Sequence, residues 1–386
     1  MPDHHSSYKA VLHRHDVQLL AIIVVMVVIF STLSKSFLSP GNLVSLLENY
    51  SVMAIMAAGL LVVLISGGID ISFAAIAAVS QYVMATVLVR VGGNWLVAFG
   101  LSAGFGILLG VVNALLIYYL RALSVIVTIS MMTFYFAILM FVTDGKSLYN
   151  LPDWFTDDLS LFEIPFPVVV AAIVLLVTLF LLSRLSIGRQ IYGLGGNPEA
   201  AKRMGCNLLG LQCFVYGYSG FMAGIAGLVQ AHRVEEVVPN ALIGRELDVL
   251  AAVVLGGASL LGGIGTVSGM VLGIVLLAIL QNGLTLLGVS SYSFGFVTGL
   301  VILMSVSATA YAAKHHDHDH VENQRRLGDL QMHQRGFGDH DDAADVADRR
   351  AERIFEHSQR AGRQTGEPRG VGIVAVGVDE TPQHRA

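Results

Sequence analysis

The sequence predicts an all-α integral membrane protein: a polytopic bundle of about ten transmembrane helices followed by a polar tail. Of its 386 residues, 54% are hydrophobic and only 13% are charged, and the mean hydropathy is +0.68, values that exclude an ordinary soluble globular protein. The charges are also unevenly distributed, since residues 314–386 hold 11 of the 23 basic and 14 of the 28 acidic residues. An apolar body of 313 residues therefore precedes a tail that carries about half of the charge.

Ten apolar runs are candidates for membrane-crossing helices, which need roughly 20 residues. The first run follows basic residues, as in a signal peptide, but no small-residue cleavage site follows it and further apolar runs do, so we predict a retained span. The eighth run is the weakest of the ten. The predicted spans are residues 17–33, 43–66, 71–89, 95–119, 122–142, 165–183, 211–231, 247–262, 266–287 and 294–313.

The basic residues of the short loops favour a topology with both termini in the cytoplasm. Lysine and arginine near span ends are retained on the cytoplasmic side. With both termini inside, eight such residues lie in the cytoplasmic segments and five in the outer ones. The predicted organisation is a cytoplasmic N-terminus at 1–16, a transmembrane domain at 17–313 with a large cytoplasmic loop at 184–210, and a disordered cytoplasmic tail at 314–386.

Two glycine-rich segments, 66–72 and 255–266, interrupt the apolar runs. The first contains Gly67 and Gly68, and the second contains Gly256 and Gly257. Irregular backbone at membrane depth is tolerated only where it is buried in protein or lines a wet cavity, so the segments are candidates for a translocation path. The alternative is that each is a tight turn at the membrane surface, and the sequence leaves both interpretations open.

Asp70 is the one acidic residue in the first of these segments. An ionisable group inside a membrane is costly, which makes it a candidate for a functional role. We favour the structural alternative, in which the carboxylate caps the following helix by accepting backbone N–H bonds. Asn113, Gln281 and Asn282 are weaker candidates, because buried amides more often pair between helices.

The cytoplasmic loop contains a short, well-delimited helix. Asn197 suits an N-cap, Pro198 suits the first helical position, and Gly205 suits a helix stop. An acidic residue near the start and two basic residues near the end complement the helix dipole. A helix of about two turns is too short to be stable alone, so we expect it to dock on another surface.

The motif Glu199-Ala200-Ala201-x3-Gly205 resembles the front of the EAA-x3-G signature of ABC-importer permeases, whose cytoplasmic coupling helix fits a cleft in an ATPase subunit. The longer segment 188–205, together with 67–72 and 246–257, is similar to the ribose, xylose, rhamnose and autoinducer-2 branch of these permeases. The resemblance covers most of residues 17–313. Departures such as Phe73-Ala74, and the lack of proline in 121–128, concern the particular sugar rather than the role of the subunit.

The resemblance implies a permease subunit that forms the path for a sugar or sugar-like solute and performs no catalysis itself. It implies an ABC ATPase dimer, an extracytoplasmic solute-binding protein, a second permease copy or paralogue, and a location in the lipid of the inner (cytoplasmic) membrane. The candidate ATPase-coupling residues are Asn197, Pro198, Glu199, Ala200, Ala201, Lys202, Arg203 and Gly205. The candidate path residues are Gly67, Gly68, Asp70, Asn113, Gly256, Gly257 and Asn282, and the candidate binding-protein docking residues are Glu235, Glu236 and Arg245.

Other functional classes find less support in the sequence. Gly145-Lys146-Ser147 reads like the end of a P-loop, but Met140 occupies the position of its first glycine, so energy must come from a partner ATPase or an ion gradient. The alternative hypothesis is a stand-alone ion-coupled secondary transporter of a small polar solute, for which Asp70 is the one plausible intramembrane ligand. An intramembrane enzyme would need clustered acids, histidines or a nucleophile, and the body contains no such pattern.

We expect no cofactor, no structural metal and no nucleic-acid partner. The net charge of −5 comes without a compact basic patch. The tail begins with a histidine- and aspartate-rich tract at 314–320, which is either a metal-binding tract or, as we favour, a solvated flexible run.

Overall fold

The computed structural model describes residues 4–157, 160–161, 164–290, 295–296 and 299–300. These residues form a bundle of helices with one small antiparallel sheet, in which Ser160 pairs with Pro165 and Leu161 with Ile164. The elements are α1 His4–Leu33, α2 Pro40–Ile65, α3 Phe73–Val91, α4 Trp95–Leu120, α5 Ser124–Thr143, α6 Asp153–Thr156, β1 Ser160–Leu161, β2 Ile164–Pro165, α7 Phe166–Arg184, α8 Ser186–Gly196, α9 Pro198–Arg203, α10 Leu208–Val234, α11 Glu246–Leu255 and α12 Val267–Leu286.

Eight of the described helices are long and apolar enough to cross a membrane. They are Asp16–Leu33 within α1, and the whole of α2, α3, α4, α5, α7, α10 and α12. The prediction of an all-α membrane bundle is confirmed, and these helices correspond to the first seven predicted spans and the ninth. The tenth predicted span, 294–313, lies almost entirely outside the described residues, and the tail at 314–386 lies wholly outside them.

The predicted eighth span, at 247–262, is wrong as a continuous helix. α11 contains 10 residues and ends at Leu255. At about 1.5 Å per residue it rises roughly 15 Å, half of what the hydrocarbon core requires. The chain then turns through Gly257 and Gly262, whose φ angles of 85° and 91° a helix cannot accommodate. Hydropathy detected the apolar character of this segment but not its break.

α10 lies at the centre of the bundle and packs against α2, α3 and α4. Its contact with α4 is backbone to backbone: a Cβ added to Gly106 would lie 2.1 Å from the carbonyl oxygen of Gly220, and one added to Gly110 would lie 2.2 Å from that of Tyr216. Glycine at these positions lets the two helices approach closely, which in lipid replaces the missing hydrophobic driving force with dispersion contacts.

α12 packs between α1 and α11 and fixes the two ends of the bundle. Ser268, at its start, hydrogen-bonds to Asp16 of α1 over 3.3 Å, and Asn282, near its end, exchanges two amide hydrogen bonds of 3.0 Å with Asn42 of α2. We call the end that carries α8 and α9 the coupling end, and the end that carries Asn42 and Asn282 the distal end. α11 runs antiparallel to α12, since the Ala252 carbonyl faces Gly273 and Gly256 faces the Gly269 carbonyl.

Candidate functional site

α9 is an exposed, capped helix whose bounds confirm the predicted helix. The Asn197 side chain accepts a hydrogen bond from the Ala200 N–H over 2.9 Å, and Pro198 occupies the first turn. Gly205 follows the helix with a φ of 83°, a conformation that favours glycine. Glu199 and Arg203 form an ion pair of 3.7 Å on the solvent side, with both side chains more than four-fifths exposed.

α8 supplies the surface on which α9 docks. Gly188, Ile191 and Leu194 form its buried face, and Ala201 of α9 is buried as well. A cleft of about 290 Å³ separates the two helices, with Arg189 and Met204 among its lining residues. α9 therefore presents an outer face and one edge of a cleft to whatever meets the coupling end.

α8 is also anchored to the second glycine-rich segment. The Tyr192 hydroxyl donates a hydrogen bond of 2.7 Å to the carbonyl oxygen of Gly265. Burial raises the pKa of this phenol above its usual value, so the hydroxyl remains a donor at neutral pH. A displacement of α8 is thus transmitted to the segment that precedes α12.

Three glycine-bearing segments meet behind α8, and we call their contact the glycine junction: residues 65–68, 195–196 and 262–265. The Gly263 N–H donates to the carbonyl oxygen of Ile65 over 2.8 Å. A Cβ on Gly195 would lie 1.9 Å from that oxygen, and one on Gly262 would lie 2.6 Å from the Cα of Gly67. The glycine junction therefore joins the α8–α9 segment directly to both glycine-rich interruptions.

Asp70 lies next to this junction and is fully buried at 1% exposure. One carboxylate oxygen accepts hydrogen bonds from the N–H and the hydroxyl of Ser72, over 2.9 and 2.6 Å. The other oxygen accepts from the hydroxyl of Ser219 on α10, over 2.9 Å. The geometry fits the helix-cap interpretation at the start of α3, extended by a bond across the bundle.

The Asp70 contacts continue into a wider polar network. Asn113 donates to the Ser72 hydroxyl over 2.7 Å and accepts from the Tyr135 hydroxyl over 3.0 Å. Thr128 and Ser124 of α5 bind the backbone of the 69–71 turn. These bonds fix the turn between α2 and α3 to α4 and α5.

The seven predicted path residues fall in three places. Gly67, Gly68, Asp70 and Asn113 lie at or beside the glycine junction, and Gly68 contacts the Tyr216 hydroxyl. Gly256 and Gly257 lie at the end of α11, where Gly256 packs on the Gly269 carbonyl of α12. Asn282 lies at the distal end, paired with Asn42. The structure brings the first group together and leaves Asn282 far from it.

The predicted docking residues all lie on the connection between α10 and α11, at the distal end. Glu235 ends α10 in a left-handed conformation with φ of 58°, and Arg245 precedes α11; both are exposed, while Glu236 is half-buried. Reciprocal backbone bonds of 3.0 and 3.1 Å join Val237 to Leu148. The α10–α11 connection and the loop after α5 therefore form one continuous surface.

Comparison with known proteins assigns the chain to a family. Residues 42–306 match the family described as "Branched-chain amino acid transport system / permease component". The chain belongs to this family. It is therefore a multi-pass transport permease, in agreement with the eight membrane-spanning helices.

Several relatives resemble the permease over most of their length. It is 36% identical over 272 residues to the ribose import permease protein RbsC of Escherichia coli K12, which covers 68% of this chain and 84% of the relative. It is 32% identical over 267 residues to the L-arabinose ABC transporter permease protein AraH of Azospirillum brasilense, with coverages of 68% and 78%. It is 30% identical over 264 residues to the D-allose transport system permease protein AlsC of Escherichia coli K12, with coverages of 68% and 81%. No solved structure matches the permease significantly.

Three residues that organise the permease site escaped sequence analysis: Tyr192, Ser219 and Gly195. Ser219 lies in an apolar stretch of α10, and its contact with Asp70 joins residues 149 positions apart. Tyr192 and Gly195 belong to the segment singled out by its motif, but nothing in that motif indicates which partners they meet. A paired-glycine pattern in all three segments of the junction was the available signal.

Proposed function

We propose that the permease forms the translocation path of an importer for a sugar or sugar-like solute, and that a separate ATPase drives it through α9. The observation that carries the proposal is the glycine junction, which connects the exposed α9 and its support α8 to both glycine-rich interruptions. The reported relatives favour a sugar, because their names specify ribose, arabinose and allose. None of those names refers to an ion-coupled transporter.

The proposed assembly has four components besides the permease. An ABC ATPase dimer grips Asn197 to Gly205 at the coupling end, and a solute-binding protein docks on Glu235, Glu236 and Arg245 at the distal end. A second permease copy or a paralogue completes the path, since the centre of the single bundle is filled by α2 and α10. The assembly sits in the lipid of the inner membrane with both termini in the cytoplasm.

The mechanism is a population shift between two arrangements of the helices. Closure of the ATPase displaces α9 with α8, and the glycine junction transmits the displacement to the start of α3 and the start of α12. Backbone-to-backbone contacts suit this role because they contain no flexible side chain that could absorb the movement. The permease binds and moves the solute while ATP hydrolysis takes place in its partner.

Glu199→Arg tests the coupling assignment. The substitution reverses a charge on an exposed face of α9 and leaves the buried contacts of α8 intact. We expect the reconstituted complex of permease, ATPase and binding protein to lose roughly tenfold or more of its stimulated ATP hydrolysis and uptake, as for a disrupted interfacial charge contact. Thermal stability of the isolated permease should be unchanged, because an exposed ion pair contributes only about 0–1 kcal/mol.

The double variant Glu199→Arg/Arg203→Glu is the matched control. It restores an ion pair within α9 but inverts its direction, so a defect that persists lies in docking and not in the stability of α9. Lys146→Glu, an equally exposed charge reversal at the distal end, controls for altered surface charge. Full stimulation of ATP hydrolysis by the Glu199→Arg complex would contradict the coupling role.

A further inference from the structure

A group of polar side chains lies where α2, α11 and α12 meet near the distal end. Tyr50 of α2, Asp248 of α11 and Gln281 of α12 are each half-buried, and we call this group the distal polar cluster. The coupling apparatus lies at the opposite end of the same helices. The cluster is separate from every candidate path residue discussed above.

The distal polar cluster lies below the ends of the helices that surround it. Tyr50 is ten residues from the start of α2, or about 15 Å along the helix, and Gln281 is five residues from the end of α12, or about 8 Å. Asp248 belongs to α11, which begins short of the end of α12 because Ala252 already faces Gly273. A carboxylate, an amide and a phenol are thus held between apolar helices at a depth where polar groups are costly.

The contacts within the cluster leave hydrogen-bonding capacity unused. The Tyr50 hydroxyl donates to the amide oxygen of Gln281 over 2.7 Å, which leaves the amide NH₂ facing the rest of the cluster. Gln281 also interacts with the Asp248 carboxylate, and Arg245 is the cation nearest in influence. Within the described part of the chain, however, no cation lies within ion-pair distance of Asp248. An ionised carboxylate has about four acceptor positions, so most of them remain available.

A purely structural role for Asp248 as a cap of α11 is already filled by another residue. Glu246 occupies the first turn of α11 and accepts the Gly244 N–H over 2.8 Å. Glu246 is itself 6% exposed, and its second carboxylate oxygen has no hydrogen-bond partner among the described residues. A buried carboxylate oxygen without a partner is costly, which indicates that this region meets a further donor in the working protein.

We propose that Tyr50, Asp248 and Gln281 form a contact site for a polyhydroxylated solute at the distal end of the translocation path. A carboxylate accepts O–H bonds, an amide both donates and accepts, and together they match adjacent hydroxyl groups of a sugar. This inference rests on the proposed function, since it assigns residues to the passage of the solute class named there. It places the solute-contacting groups on α2, α11 and α12, the helices that the glycine junction moves from the other end.

Asp248→Asn tests the site in the reconstituted complex with its ATPase and binding protein. The change replaces an acceptor-only carboxylate by an amide of the same shape and removes charge-assisted bonds to the solute. We expect the number of D-ribose molecules imported per ATP hydrolysed to fall by roughly tenfold or more, while loaded binding protein still stimulates hydrolysis. A structural role alone would instead lower hydrolysis, import and thermal stability together. Asp248→Glu should restore part of the import.

Two further variants complete the test. Asp144→Asn, an exposed carboxylate in the loop after α5, is the matched control and should import normally. Tyr50→Phe keeps the ring and removes one hydroxyl, and it replaces Asp248→Asn as the test if the latter fails to accumulate in membranes. We expect it to lower import per ATP less than Asp248→Asn does.

The outcomes separate this inference from the proposed function. If the wild-type complex imports D-ribose and both cluster variants keep its import per ATP, the distal polar cluster is not a solute site and the proposed function stands. If the wild-type complex imports L-leucine or another amino acid, and no sugar from a panel of pentoses and hexoses, the proposed solute class fails and the inference fails with it.

Discussion

Two buried polar side chains of the permease are satisfied to opposite degrees. The Asp70 carboxylate accepts three hydrogen bonds from Ser72 and Ser219. Gln81, near the middle of α3, is 1% exposed, and neither its amide nitrogen nor its amide oxygen has a partner among the described residues. Asp70 therefore stabilises the turn between α2 and α3, whereas the Gln81 amide is destabilising as it stands.

Gln81→Met should stabilise the permease. Methionine fills nearly the same volume and removes a buried amide without hydrogen bonds, which costs about 1–3 kcal/mol. We expect a higher midpoint of thermal unfolding for the detergent-purified protein. Gln230→Met is the matched control and should lower the midpoint, because the buried Gln230 accepts a hydrogen bond of 3.2 Å from Arg233. A lower midpoint for Gln81→Met would show that the amide has a partner in the membrane.

At the scale of elements, α8 determines what α9 can transmit. α9 alone is 6 residues long and lacks the length to be stable in isolation. α8 holds it through a buried face, through Tyr192 and through Gly195 at the glycine junction. Any force on α9 therefore reaches α2 and the segment before α12 through α8.

Gly195→Ala should uncouple the permease, and Gly193→Ala should not. A Cβ on Gly195 would collide with the Ile65 carbonyl oxygen, whereas one on Gly193 meets nothing within 4 Å. Both changes have the same effect on helix propensity, about 1 kcal/mol in favour of alanine, so the difference isolates the junction. We expect Gly195→Ala to abolish the response of ATP hydrolysis to loaded binding protein while Gly193→Ala retains it. Equal activity of the two variants would exclude the junction as the route of coupling.

At the scale of the whole molecule, the two ends of the bundle have different construction. The coupling end is held by backbone contacts between glycines, and the distal end by side-chain pairs such as Asn42 with Asn282. α2 and α12 extend from one end to the other. A change at the coupling end therefore reaches the distal end through whole helices and not through a chain of side chains.

Deletion of residues 321–386 should leave transport largely intact. The tail carries about half of the charges but none of the residues that form the glycine junction or the distal polar cluster. We expect a truncated permease to reach the membrane and to import D-ribose at close to the rate of the full chain. Loss of uptake at normal membrane abundance would assign the tail a function.

Much of the permease follows from the sequence because the relevant forces are local. Apolar runs of sufficient length predict eight of the observed membrane helices, and the caps at Asn197 and Gly205 predict α9, since hydropathy and capping depend on neighbouring residues. The half-length of α11 did not follow, because an apolar composition does not reveal where glycines break a helix.

The sequence by itself determined that this is a membrane bundle with a capped helix in a cytoplasmic loop, and which family it resembles. Only the tertiary structure decided that three glycine segments, from 65–68, 195–196 and 262–265, meet in one junction. It alone joined Asp70 to Ser219, and Tyr50 to Gln281 231 positions away. Such contacts join residues far apart in the chain, so their formation depends on how whole helices pack and leaves no mark on local composition.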